Sequence, residues 1–389
     1  MPELSYRTAG ESHGKALTVL VEGLPAGLAI DIELINGELR RRQGGYGRGG
    51  RMTIEKDEAS VLSGLRRGVT IGSPLVLQIP NRDHRIDEAP EINRPRPGHA
   101  DLAGSLKWLT SDCRNALERA SARETAARVA AGALAKSLLR EFDVQCVGFV
   151  VELGGIRANV ADDASADQLI AARDANELYT PDASVVQAMI AAIREAEQAG
   201  DTLGGVVEVR AYELPPGLGT CAAWQDKLDG RLMQAVGSIQ AIKGVEVGLG
   251  FEAARRPGSQ VHDAMYFDPA QRDRPSFGFM RKTNNAGGLE GGMTNGQTLI
   301  LRGAMKPIST LRQGMDSVNI ETLQAERSDY ERSDVCAVPA ASVVVENIVA
   351  FELTRAWLGK FSGDTLREVR AAYDFYAAAV RSLPAAQPE

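Results

Sequence analysis

Residues 16–22 (ALTVLVE) alternate in character and are partly β-branched, a pattern that predicts a strand. Across residues 31–42 the apolar positions Ile32, Ile35 and Leu39 fall on one face, which predicts a helix. Residues 52–65 and 73–79 hold short strand-like runs, and the polar, proline-rich residues 81–97 predict a loop. Ser121 and Glu124 have the spacing of a capping box, so a helix is expected to begin there and to continue through residues 125–139. Its small residues, Ala126, Ala127, Ala130, Ala131, Ala133 and Ala135, let another backbone come close. Gly132 costs that helix about 1 kcal/mol relative to alanine.

Farther on, residues 144–153 and 204–214 predict buried strands, and residues 162–201 are acidic and helical in part, without visible chemistry. A helix is expected at 226–242, a strand at 245–249, a loop at 255–280 and a strand at 298–303. An apolar helix follows at 341–358, and the tail from Asp364 is helical before it fades into proline and alanine. The pattern mixes helices and strands; it shows no repeat and no linker.

Composition narrows the function. The 389 residues are 44% hydrophobic and 24% charged, ordinary for a globular chain of one or two domains. No apolar run is long enough to span a bilayer, and the first residues lack the basic-then-apolar order of a secretion signal, so a cytoplasmic location is expected. Cys113, Cys146, Cys221 and Cys336 are scattered with no C-x-x-C pair, which predicts free thiols and no metal. The net charge of −7 argues against a nucleic-acid partner. Arginines concentrated among glycines in an acidic protein suit a small anionic ligand instead.

Several stretches carry candidate chemistry. The turn Gly10-Glu11-Ser12-His13-Gly14 presents a histidine able to exchange a proton near neutral pH. Residues 40–51 hold Arg40, Arg41, Arg42, Arg48 and Arg51 among five glycines, guanidinium groups suited to phosphate or carboxylate. The prolines beside Arg94 and Arg96 stiffen an approach to His99 and Asp101. Arg114, Arg119 and Arg123, close to a helix start, predict an anion site. The glycine-rich residues 284–296 lack the setting of a dinucleotide fold. After them, Lys306, Ser309 and Thr310 offer an ammonium and two hydroxyls to a phosphate.

Taken in order, GESHG, RRRQGGYGRGGRM, RPGHADLAG, RASARETAARVAAGA, GDTLGG, SIQAIKGVEVG, NNAGGLEGGMTNG, MKPIST and RSDVCAVPA form a series that closely resembles the chorismate synthase family over residues 5–360. The resemblance implies an α/β (α+β) fold, a sandwich of helices and mainly antiparallel sheets in one catalytic domain over residues 1–389, with the tail from about 365 peripheral. It also implies a homotetramer. The implied reaction is the anti-1,4-elimination of phosphate from 5-enolpyruvylshikimate-3-phosphate to give chorismate, with reduced FMN required and no net oxidation.

Carried over residue by residue, the resemblance implies that His13 protonates the departing phosphate. It implies that His99 protonates the reduced flavin and that Asp334 with Ser12 helps remove the flavin N5 proton. Many relatives carry His and Pro where this chain has Ser333 and Val335. Flavin contact is implied for Arg119, Ala120, Ser121, Gln240, Ala241, Gly291, Lys306, Pro307, Ile308, Ser309, Thr310 and Arg332. Arg42 and Arg48 match positions that contact nicotinamide or substrate; with no nicotinamide motif visible, substrate anions are favoured, with Arg51 and Arg128 as further substrate arginines. The reductant is expected to be external, with NADPH acting only indirectly. The competing readings are an NAD(P)H:flavin reductase and an Arg-Gly RNA-binding protein.

Overall fold

The computed structural model describes residues 2–49, 54–331 and 333–383. One sheet runs in the order β1 (Ser5–Ala9), β2 (Ala16–Glu22), β6 (Leu75–Pro80), β3 (Ser60–Ser63), every pairing antiparallel. The two-residue strands β4 (Leu65–Arg66) and β5 (Val69–Thr70) form a small ladder between β3 and β6 in sequence. In β2 the alternation works as expected: Leu17, Val19 and Val21 point into the core while their neighbours are only half-buried.

The second sheet has the order β10 (Ile242–Val247), β15 (Leu299–Met305), β9 (Gly205–Tyr212), β7 (Gln145–Leu153), β8 (Ile156–Arg157), again wholly antiparallel. Short hairpins pair β11 (Met265–Phe267) with β12 (Phe279–Arg281), β13 (Leu289–Glu290) with β14 (Met293–Thr294), and β16 (Asp316–Val318) with β17 (Ala325–Arg327).

Helices fill the space between the sheets. α1 (Ile32–Gln43) is capped by Asp31, whose carboxylate accepts from Glu33 N. α4 (Thr125–Arg140) lies on β2 and β6, and α8 (Val338–Lys360) lies on β7 and β9. α8 is apolar on nearly every side, so it is buried along most of its length. The two helices pack directly on each other. At their closest approach a Cβ on Gly132 would stand 2.3 Å from Asn347 O, so only glycine fits. The alanines of α4 therefore do what their size suggests.

Between them lies an ionic knot. Glu346 accepts from both Nη atoms of Arg41 (3.1 and 3.0 Å), from Arg173 Nη1 (3.2 Å), from Gly148 N (2.8 Å) and from Lys136 Nζ. Glu38 accepts from Lys136, Arg41 and Asn347. Burial alone would raise the Glu346 carboxyl, but Arg41, Lys136 and Arg173 hold it well below the usual carboxylate range.

The remaining helices are α2 (Asp101–Trp108), α3 (Arg114–Ala120), α5 (Ala166–Asp174), α6 (Val186–Ala199), α7 (Leu228–Gly237) and α9 (Leu366–Ser382). α9 docks by Val369, Ala377 and an aromatic cluster of Trp357, Phe361, Tyr373 and Tyr376.

Some expectations shift. The arginine-bearing approach to residue 121 is itself helical, as α3. The chain breaks at Ser121, which takes an extended conformation, and α4 starts only at Thr125 after a turn. Ser121 Oγ accepts from Arg123 N, and the Glu124 carboxylate is taken by tertiary partners instead of completing a capping box. α7 ends at Gly237 rather than 242, and Ala241 takes a left-handed conformation (φ 67°), so β10 begins earlier than expected. The 255–280 stretch is not all loop: it contains β11 and the start of β12.

Candidate functional site

The Gly10–Gly14 turn joins β1 to β2 and is pinned from three sides. Asn81 Nδ2 donates to Glu11 O and Gly14 O, Ser12 N donates to Glu118 O, and Ile86 N donates to His13 O. The buried carboxylate of Glu118, on α3, accepts from His13 N (2.8 Å) and from His13 Nδ1 (2.9 Å to Oε1). His13 Nε2 faces the other way, 3.9 Å from Asp83 Oδ2. Ser121 Oγ donates to Ser12 Oγ at 3.1 Å, so the break between α3 and α4 holds both hydroxyls together.

Glu124 knits the next layer. Its carboxylate accepts from Thr8 Oγ1, from Arg128 Nε and from Gln240 Nε2. Arg119 donates to the carbonyls of Gly10 and Thr8, Ala120 sits half-buried beside it, and Arg128 also reaches Ser238 Oγ. Gln240 keeps a buried Oε1 with no partner among the described residues, an acceptor in want of a donor. Lys306 N donates to Ala241 O, which brings residues 306–310 to the same edge.

His99 is held there too. Its Nδ1 lies against Asp101 Oδ1 and 3.0 Å from Arg96 Nη2. Asp101 is fully buried at the start of α2, and burial would raise its carboxyl. The hydrogen bonds from His99 and Arg96 instead hold it far below the usual range. Arg96 Nη1 donates to Thr310 Oγ1, and Ser333 Oγ donates to Thr310 O. Arg114 Nη2 meets Glu331, two residues before Ser333, while its Nη1 faces Glu118 at 3.6 Å. Bonded side chains thus run from His13 through Glu118 and Arg114 to Glu331, and from His99 through Arg96 to Thr310, whose carbonyl takes the Ser333 hydroxyl.

Against these bonded frames stand cations with no carboxylate. Among the described residues Lys306 Nζ has only the carbonyl of Pro307, at 3.4 Å, and neither Lys243 nor the Ser309 hydroxyl has a protein partner. Burial and the neighbouring Lys243 push the Lys306 ammonium below its ordinary value. An anion placed here would relieve both. With the orphaned Gln240 acceptor beside them, these residues fit a phosphate-bearing heterocycle such as FMN.

Other expected residues are placed differently. The arginines 114, 119 and 123 do not form an open anion cluster: Arg114 is paired with acids, Arg119 with carbonyls, and Arg123 is buried on Asp57 and Asn81. Arg42 shares Asp57 with Arg123 (2.6 Å) and is buried. Arg48 pairs with Asp334 at 2.9 Å, and Gly49 N donates to the other Asp334 oxygen. Ile308 O accepts from Thr202. Gly291 is not brought to either frame. It lies in the β13–β14 turn by the start of α7, where Leu228 N donates to Gly292 O, and among the described residues it makes no hydrogen bond to them. Arg51 and Arg332 lie outside the described residues. Sequence reading did not single out Glu118, Asp83 or Lys243. Glu118 lies 105 positions from His13, and no local signal announces such a pairing.

A family model described as chorismate synthase matches residues 4–358. The chorismate synthase of Geobacter sulfurreducens is 55% identical over 394 residues, taking in 98% of this chain and 100% of that protein. The chorismate synthase of Desulforamulus reducens is 53% identical over 392 residues, with the same coverage. A solved crystal structure of chorismate synthase superposes with a TM-score of 0.80 at 42% identity, covering 98% of this chain and 99% of that one.

Proposed function

The chain belongs to the chorismate synthase family, and from that premise we propose how its own residues perform the family's reaction. It is a lyase of the shikimate pathway, eliminating phosphate from 5-enolpyruvylshikimate-3-phosphate to give chorismate.

In our reading His13 delivers a proton from Nε2 to the departing phosphate, a task suited to imidazole near neutral pH. Reduced FMN, if bound, would supply the electron density that eases the elimination without net oxidation. Lys306 and Ser309 would hold its anionic end, with Pro307, Ile308 and Thr310 shaping that loop. Arg119, Ala120, Ser121, Gln240, Ala241 and Arg332 would border the rest. His99, fixed by Asp101 and Arg96, holds a proton at the flavin edge, and Asp334 with Ser12 accepts one. Arg48, Arg51 and Arg128 draw in the substrate carboxylates, and Arg42 sets the charge beneath them.

The observation that carries this reading is that His13 and His99 each rest Nδ1 on a buried acid while Lys306 and Lys243 meet no carboxylate among the described residues. We extend the reading to one catalytic domain, a homotetramer in the cytoplasm and a separate source of reduced flavin, with NADPH entering only through that source. The single domain and the homotetramer follow from the family resemblance, the location from the lack of an apolar spanning run and of a secretion-signal pattern, and the outside reductant from the lack of an extra reductase segment. Among the described residues no helix is long and apolar enough to cross a membrane.

The test is an anaerobic incubation with photoreduced FMN and 5-enolpyruvylshikimate-3-phosphate. Phosphate and chorismate should form in equal amounts, and neither should form with oxidised FMN. Equal turnover with either flavin would overturn the cofactor assignment, and consumption of NADPH without added reductant would overturn the external source in favour of a built-in flavin reductase.

A further inference from the structure

His13 is bonded twice to a single carboxylate. Glu118 accepts from its backbone N–H at 2.8 Å and from its ring Nδ1 at 2.9 and 3.1 Å, and the acid's side chain is wholly buried. Burial alone would raise the Glu118 carboxyl, yet the hydrogen bonds and charge of His13, with help from Arg114, hold it below its ordinary value. An ionised carboxylate only accepts hydrogen bonds. Nδ1 must therefore carry the hydrogen in the neutral ring as well as in the charged one. Nε2 is left as the nitrogen that gains or loses a proton, and it is the one turned away from the acid.

We propose that Glu118 is the positioning residue of this site: it fixes the His13 tautomer and ring plane, so that Nε2 is the nitrogen presented to the departing phosphate. The proposal rests on the reading of His13 as the proton donor. When Nε2–H passes its proton to a phosphate oxygen, the ring returns to neutrality with Nδ1–H still on Glu118, set for the next cycle. Arg114, 3.6 Å behind the acid and paired with Glu331, keeps the carboxylate ionised. The other group facing the ring is Asp83, at 3.9 Å from Nε2 and itself paired with Arg85. Asp83 is partly exposed and touches neither His13 Nδ1 nor its backbone, so it does not set the tautomer.

The test is nitrogen-15 NMR of histidine-labelled full-length protein, with the His13 signals identified by their loss in His13→Ala. In the unaltered protein the neutral ring should be in the Nδ1–H form; an Nε2–H form would overturn the proposal without any variant at Glu118. In Glu118→Gln, where the amide can donate as well as accept, both tautomers should appear. Turnover should fall on the order of a hundredfold with KM little changed, and Glu118→Asp should recover part of it. In a His13→Ala background Glu118→Gln should cost less than twofold more. An unmoved tautomer in Glu118→Gln would sink the role given to Glu118. Near-normal turnover of His13→Ala alone would sink the assignment of His13, whatever the spectra of Glu118→Gln show.

Discussion

Two regions of this molecule concentrate charge and treat it in opposite ways. In the knot between α1, α4 and α8 each buried carboxylate meets two or more cations, and Glu346 also takes a backbone N–H. At the edge near Ala241, burial and the nearby Lys243 disfavour the charge on Lys306, with no carboxylate among the described residues to offset it. The first arrangement is closed and asks nothing of solvent or ligand. The second is held in an unfavourable state by the fold around it, which is what a site prepared for an anion requires. The histidines lie along the second region, each with its Nδ1 against a buried acid.

The contrast can be broken most forcefully at the histidines. His13→Ala and His99→Ala should each lower turnover on the order of 10²- to 10⁴-fold, while FMN affinity and urea unfolding stay near those of the parent enzyme. A stability loss comparable to the activity loss would put the histidines in the closed class instead. Next comes the knot itself. Glu346→Gln leaves Arg41 and Lys136 to Glu38 and Arg173 to Asp174, and should cost about 3–5 kcal/mol of stability in urea unfolding. The properly folded fraction should keep its turnover; a specific loss of turnover would connect the knot to the site.

A smaller effect is expected where α4 meets α8. Gly132→Ala raises helix propensity by about 1 kcal/mol, but its Cβ would stand 2.3 Å from Asn347 O. Net destabilisation of about 1–3 kcal/mol should follow, read from thermal melting; a gain would mean that the helices part easily.

The smallest effect is a pH dependence whose sign differs between the regions. Glu38, Glu346, Asp57, Glu118 and Asp101 all have folded values below their ordinary ones. Their stabilisation is complete above about pH 4–5 and is lost as pH falls through the depressed values. Lys306 is lowered as well, which for a cation means the opposite: its folded charge costs stability below its folded value, and the cost is relieved as pH rises through that value and is gone above about 10.4. Urea midpoints should thus fall steeply on acidification, less so in Glu346→Gln. At high pH, Lys306→Met should remove part of the parent's variation.

How much of this could be read from the sequence follows from the range of each interaction. Strand β2 and helix α1 are written in their own periodicity, and both formed close to the expected bounds. The alanines and Gly132 of α4 announce a close helix neighbour, though not which one. The α2 and α3 helices went unseen because proline, arginine and histidine around them read as loop. The cluster of Arg96, His99 and Asp101 was legible because its members lie within five positions of one another. Glu118 was not, since its meaning depends on a turn more than a hundred residues away. The arginines of α3 show the same limit from the other side. Their number suggests an anion site, but whether a guanidinium is open depends on distant acids and carbonyls such as Glu331, Asp57 and Gly10.

The most direct test of the open, anion-ready edge is a flavin-fluorescence titration of FMN into the parent enzyme and into Lys306→Met. The account predicts an affinity lower by about tenfold or more, near 1.4 kcal/mol, in a variant that without ligand melts no lower than the parent. Equal affinity in the two proteins would contradict it.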